Sequence, residues 1–371
     1  MNRLLSGNLP ALSRVGGTPL PTSALLARVA DASYWMSRYL ERAEHVARVL
    51  VVSMDVLTGA GELDADFALR VCTDVLQITQ HDHLLPQLQQ NAPAPMSLMN
   101  AIARHMTLDE ANPNSLISCI SKARENARSI RESISAEIWE SLNVLYWSFR
   151  SEDAAARFDE APQETCRQVL TGSLLQQGLA DQTMDHGQIW LFMQLAKYLE
   201  RVEMTCRILT AKFTTLCGPT FTVEGPLQVI QWMSVLRSCC CIEAYRRANI
   251  GEINSGRVAE FIIFAPSFPR SVLFCVQHAL EAVDRIRAML SADAGREAQR
   301  QLGLLYAELQ YSQAALGADA NLAEFLENIR AGAAMAAIAV QDQWFLQAEP
   351  TINADRLDLA QGALHVVANN P

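Results

Sequence analysis

Positive charge is in short supply in this chain of 371 residues: 30 lysines and arginines face 40 aspartates and glutamates, for a formal net charge of −10. Nucleic acids are bound through basic footprints, so this balance argues against a nucleic-acid partner. Long apolar runs are missing as well. The stretches at 49–54 and 261–265 fall far short of the roughly 18–20 residues a membrane span needs. The opening segment carries Arg3, Leu4 and Leu5 but breaks at Gly7, Pro10 and Gly16-Gly17. It lacks the apolar stretch of a signal peptide, and the chain reads as cytoplasmic. Nine cysteines include no Cys-x-x-Cys spacing, and the run Cys239-Cys240-Cys241 suits reduced, buried thiols better than a disulfide framework.

Signatures of self-sufficient chemistry are absent too. No Gly-x-x-x-x-Gly-Lys, Gly-x-Gly-x-x-Gly or Gly-x-Ser-x-Gly occurs. None of the seven histidines follows a glutamate by three positions, as a di-iron bundle requires. His81 and His83 straddle Asp82 without a second cluster to complete a zinc site, so no metal is expected. Cys119 and Cys275 sit beside Ile120 and Val276 and read as core, not as nucleophiles. Valine, isoleucine and threonine nowhere alternate with polar residues as strands do.

What the chain has instead is one helical passage written twice. Arg38-Tyr39-Leu40-Glu41-Arg42-Ala43-Glu44, continuing to Arg48, returns 159 positions later as Lys197-Tyr198-Leu199-Glu200-Arg201-Val202-Glu203, continuing to Arg207. Pro113-Asn114-Ser115-Leu116 with Cys119, Ala123, Glu125, Ile130 and Arg131 returns 156 positions later as Pro269-Arg270-Ser271-Val272 with Cys275, Ala279, Glu281, Ile286 and Arg287. Leu142, Leu145 and Tyr146 return at 160 positions as Leu302, Leu305 and Tyr306. Three registers in one order point to an internal duplication. The expected fold is all-α, two tandem pseudo-symmetric helical-bundle halves at 23–181 and 182–345, with an N-terminal extension at 1–22 and a tail at 346–371. Apolar residues at steps of three and four support long helices from Ser23 to about Gly59, from Asn114 to about Arg150, over 189–213 and from Ser271 onward. Further helices are expected over 64–80, 228–248 and 322–345, with a connector at 151–181 that holds at least one amphipathic helix.

On the first repeated helix Arg38, Glu41, Glu44, His45 and Arg48 share the face opposite the apolar stripe. That face is either solvated and stitched by surface pairs, each contributing about 0.2–0.5 kcal/mol, or it is a buried ion-pair network. Surface pairs drift freely because most contribute about 0–1 kcal/mol. Retention of Glu41, Arg42, Glu44 and Arg48 as Glu200, Arg201, Glu203 and Arg207 therefore favours a buried network where the halves or a partner meet. A second candidate is the turn Asn112-Pro113-Asn114-Ser115 with Arg124, Arg128 and Arg131 behind it, spaced as one guanidinium stripe. A capped helix start and arginines suit a carboxylate or phosphate; pairing to the acidic faces is the competing reading. In the second half only Arg287 of the stripe remains, with Arg270, Ser271, Arg246 and Arg247 as replacements.

Tyr34-Trp35-Met36-Ser37-Arg38-Tyr39-Leu40-Glu41-Arg42-Ala43-Glu44, Asn112-Pro113-Asn114-Ser115, the segment from Ala123 to Glu132 and Phe268-Pro269-Arg270-Ser271-Val272 resemble the bacterial alpha-E domain family over about residues 24–345. The resemblance implies a companion of circularly permuted ATP-grasp proteins, enzymes that join a carboxylate to an amine through an acyl-phosphate. It implies no cofactor in this chain, with ATP and Mg in the partner, and a peptide or amino acid as the substrate of the pair. No catalytic residue is carried over. The competing expectations are a non-catalytic scaffold and an independent enzyme using paired glutamates for acid–base work.

Overall fold

The computed structural model describes residues 24–60, 65–216, 225–249, 251, 253–290, 293–312 and 322–345. The expected extension at 1–22 and tail at 346–371 lie outside the described residues. Among the described residues the chain is all-helical, with fifteen α-helices and no strand.

Two long helices make the centre, α1 (Ala24–Ala60) and, eight helices later, α9 (Gln188–Leu216). They pack on each other. Between them run α2 (Ala65–Thr79), α3 (Leu85–Asn91), α4 (Pro95–Leu108), α5 (Leu116–Ser129), α6 (Ala136–Arg150), α7 (Ala154–Glu160) and α8 (Pro162–Thr183). After α9 follow α10 (Pro226–Ser238), α11 (Ile242–Ala248), α12 (Ser255–Phe264), α13 (Val272–Leu290), α14 (Arg296–Ser312) and α15 (Leu322–Trp344). α1 packs on α5 and α8, and α6 bridges those two; α9 packs on α13 and α15, and α14 bridges those. α2 reaches across to α9, and α10 reaches across to α1. Both central helices are thus enclosed, and their charged faces as well as their apolar ones lose water.

The helix expected from Asn114 to Arg150 is two. α5 stops at Ser129, a 3-10 turn covers Arg131–Ser133, and Ser135 caps α6 by accepting from the Ile138 amide at 3.3 Å. A serine competes with the helix for backbone bonds and favours this start. The helix expected over 228–248 is broken as well, at Cys239–Cys241. There Cys240 takes a left-handed conformation (φ 56°), and the Cys241 amide donates back to Leu236 at 2.8 Å. The end of α2 repeats this stop 160 positions earlier: Gln80 has φ 62° and the His81 amide donates to Leu76 at 2.7 Å. Both are Schellman closures without the usual glycine. The connector expected over 151–181 is mostly α8, a 22-residue helix begun by Pro162 in its first turn.

Gly295 sits at φ +76°, and a Cβ there would lie 2.3 Å from Cζ2 of the buried Trp344 ring. Gly295→Ala is therefore expected to destabilise the fold by about 2–4 kcal/mol, summing the left-handed penalty and overpacking. A urea midpoint unchanged from the parent would contradict the close approach of α15 to the start of α14.

Candidate functional site

The charged faces of α1 and α9 meet in the interior. Glu200, 1 % exposed, accepts from Arg42 Nε at 2.7 Å and from Arg42 Nη2 at 3.0 Å, a bidentate clasp across the two helices. Arg38 Nε lies 2.6 Å from its Oε2 as well. The reverse clasp is present too. Glu41, 2 % exposed, accepts from Arg201 Nε at 2.6 Å and Nη2 at 3.2 Å. Each Glu-Arg dipeptide thus embraces the other, glutamate to arginine and arginine to glutamate.

The network extends to both ends. Glu44, fully buried, accepts from Arg48 Nε at 2.8 Å and from Arg270 Nη1 at 3.0 Å. Glu203 takes Arg207 one turn on and stands 3.5 Å from Arg38 Nη2. Arg42 Nη1 also donates to Asn114 Oδ1 at 3.2 Å, and Arg201 Nη1 to the Pro269 carbonyl at 3.3 Å. The turns before α5 and α13 therefore cap the two clasps in corresponding ways. Gln177 of α8 bridges, donating to Glu41 at 3.0 Å and accepting from Arg201 at 3.0 Å.

Burial by itself would raise these carboxyls, but the guanidinium groups outweigh it. Arg42 and Arg38 hold Glu200 at about 2, and Arg270, His45 and Arg48 hold Glu44 at about 2. Glu41 is lowered likewise, against its burial, by Arg201 and Arg270. Such carboxylates are permanently ionised near neutral pH and make poor general acids. His45 is fully enclosed; burial lowers it, against the pull of Glu44. Glu41, Glu44 and His45 bring ligand atoms within 4.8 Å of one another, the spacing of a metal site. Arg201, Arg270 and Arg48 already occupy those carboxylates, so a cation would have to displace a guanidinium.

Several sequence-stripe residues end up elsewhere. Arg270 turns inward to Glu44 and Glu41 instead of reaching for an external anion. Asn114 is engaged by Arg42, and Ser115 closes the start of α5 itself, accepting from the Ser118 amide at 3.3 Å. Ser271 does the same for Phe274 at 3.1 Å. The expected anion site at these helix starts is thus filled from within. Arg246 and Arg247 are exposed on α11, with Arg246 3.9 Å from Glu243, and do not join the network. Arg124, Arg128 and Arg131 do not form one helical stripe, because α5 ends at Ser129 before Arg131. Arg124 stacks 4.5 Å from the Tyr146 ring centre and donates to Asn143 at 2.8 Å. Arg131 lies 5.4 Å from the Trp139 ring, and exposed Arg128 pairs with Glu125. Cys119 and Cys275 are buried, and burial pushes their thiols up to about 11 and about 12.

A pair of Glu-Arg dipeptides at the heart of an all-helical chain is also what the comparison with known families picks out. The Alpha-E model, described as a predicted alpha-helical domain with a conserved ER motif, matches residues 25–345. The chain belongs to the Alpha-E family. Glu41-Arg42 and Glu200-Arg201 are the two Glu-Arg dipeptides in this Alpha-E sequence. Uncharacterized proteins of Mycobacterium bovis and of two Mycobacterium tuberculosis strains are 26 % identical over 349 residues, 87 % of this chain. The chain spans 37 % of the length of these relatives. No solved structure gives a significant match. No helix among the described residues is long and apolar enough to cross a membrane.

Two contributors were invisible in the repeat. Gln177 lies on α8, read as connector, and its signal was the polar spacing Ser173, Gln176 and Gln177 on one helix. His45 stands on the charged face, but Met204 stands 159 positions after it, so the repeated passage does not single it out.

Proposed function

We propose that this chain is the helical partner subunit of an ATP-grasp-type enzyme that forms a peptide or amide bond at the expense of ATP. ATP and Mg are bound by that partner, and the pair works in the cytoplasm. Alpha-E membership supports this reading, together with the motifs whose likeness implies the partnership. The observation that carries it is the fate of the Glu-Arg motifs. They are locked by opposite charges inside the molecule, which argues against a part in acid–base chemistry and supports reading them as the frame of a docking module. The two halves are read as duplicated copies about a pseudo-two-fold axis; the reciprocal clasps and the matched stops at Gln80 and Cys240 support that origin.

The partner or its anionic substrate meets the outer face of α5 and α6. Trp147 is 59 % and Val144 73 % exposed there, beside stacked Arg124 and exposed Arg128 and Arg131. Exposed aromatic and arginine side chains of this kind make binding hot spots. The isolated chain is expected neither to bind nor to hydrolyse ATP, and to restore amino-acid-dependent ADP release when mixed with the co-purified ATP-grasp protein. Arg131→Ala with Trp147→Ala is expected to weaken that stimulation by about tenfold or more without lowering thermal stability. A partner that ligates at full rate alone would overturn the proposal.

A further inference from the structure

A cleft opens between α1, α8 and α9 beside the network, lined by Ser37, Glu41, Ser173, Gln177, Gln194 and Lys197 among others. It has room for about 30 Å³ of occupant, where one water needs about 10–15 Å³. Its amine is Lys197, 9 % exposed, which stands 4.6 Å from the Tyr198 ring centre and donates to Gln194 Oε1, whose amide donates on to Asp181 at 3.4 Å; no carboxylate among the described residues stands within ion-pair distance of the amine itself. Its hydroxyl is Ser173, 1 % exposed, whose Oγ has no hydrogen-bond partner. The Glu41 carboxylate on the same wall is already taken by Arg201, Arg270 and Gln177. Six guanidinium groups (Arg38, Arg42, Arg48, Arg201, Arg207, Arg270) face four carboxylates (Glu41, Glu44, Glu200, Glu203) in the network, so the surroundings carry an excess of positive charge.

The corresponding place in the other copy is closed. Arg38 stands 159 positions before Lys197 and is paired to Glu200 and Glu203. Tyr34 and Trp35 stand where Met193 and Gln194 do, and Tyr34 packs on Phe345 at 5.3 Å between ring centres. Ala333 and Ala336 stand 160 positions after Ser173 and Gln176. One copy is thus plugged by rings with its cation satisfied. The other keeps polar walls, an open volume, an unpartnered hydroxyl and a buried ammonium without a counter-ion, which is a costly arrangement unless an anion completes it. We infer that the α1/α8/α9 cleft binds a small carboxylate of formate size, held by the Lys197 ammonium and the Ser173 hydroxyl. Burial, followed by the charge of Arg201, lowers Lys197 to about 8, as an ammonium awaiting its counter-ion should be. The site stands independently of any ATP-grasp partner.

The chain has three lysines, Lys122, Lys197 and Lys212, so lysine labelled with 13C at Cε gives three resolvable probes. Formate added against chloride at constant ionic strength is expected to move the Lys197 resonance saturably and leave the other two in place. Lys197→Met removes that signal. Ser173→Ala, which keeps the fold and the amine, is expected to weaken formate by at least about fivefold. Benzoate, whose ring adds bulk that the small cleft does not surround, is expected to bind more weakly than formate and to move the Lys197 signal less at equal concentration. Three resonances that stay still or drift together with formate, a Ser173→Ala affinity equal to the parent's, or benzoate binding as well as formate would each overturn the assignment.

Discussion

Glu41→Met is expected to lower the free energy of unfolding by about 3–5 kcal/mol at pH 7, and Arg201→Met by a similar amount, in urea melts followed by circular dichroism. The reason is what remains, not only what is lost. Without Glu41, Arg201 keeps Gln177 and a carbonyl but no carboxylate, and its guanidinium is charged in a place that is 5 % exposed. Without Arg201, Glu41 keeps the Gln177 amide, but its nearest remaining guanidinium is Arg270, 3.5 Å away and already shared with Glu44. The double variant Glu41→Met with Arg201→Met leaves no orphan charge, and Arg270 retains Glu44 at 3.0 Å. It is expected to be more stable than either single variant, with a coupling energy of about 2–3 kcal/mol. Single losses below about 1 kcal/mol would mean that water reaches the clasp.

Acid is expected to unpick the same centre. Glu200 and Glu44 titrate at about 2 in the folded chain against 4.5 for a free carboxyl. A carboxyl with a depressed folded pKa binds protons more readily when unfolded, so its stabilisation is complete above the unfolded value and is lost as pH falls through the folded one. The window therefore runs from about 4.5 down to about 2, and each of the two groups contributes on the order of 3 kcal/mol across it. The urea midpoint of the parent should fall steeply over that range. Glu200→Gln, already destabilised at pH 7, should fall less steeply because an amide does not titrate. Parallel curves for the two proteins would show that Glu200 is not the group responsible.

Much of this architecture is written in the helical periodicity. The long helices α1 and α9 follow from apolar residues at steps of three and four, and the repeated Glu-Arg dipeptides mark the faces that pair inside the molecule. The partners of that network were less legible. Arg270 and Asn114 look from their spacing like ligand-binding groups at helix starts, and they are consumed by Glu44 and Arg42 because buried charge takes the nearest complement. The breaks at Ile130–Ser135 and Cys239–Cys241 were missed because no proline or glycine marks them; a serine cap and a left-handed cysteine do the work. The Lys197 cleft lies outside the reach of the repeated passage, since Gln194 and Lys197 stand where the first passage has Trp35 and Arg38.

The crossed clasps bear on how the molecule can be divided. Glu41 finds its arginine on α9, and Glu200 finds its arginines on α1. Chain severed in the bend between α8 and α9 would yield two fragments, each holding a Glu-Arg dipeptide whose partner dipeptide lies on the other piece. Such pieces would each expose a buried-type charge pair at the cut, and their reunion would restore both clasps at once, as the halves of a split reporter do.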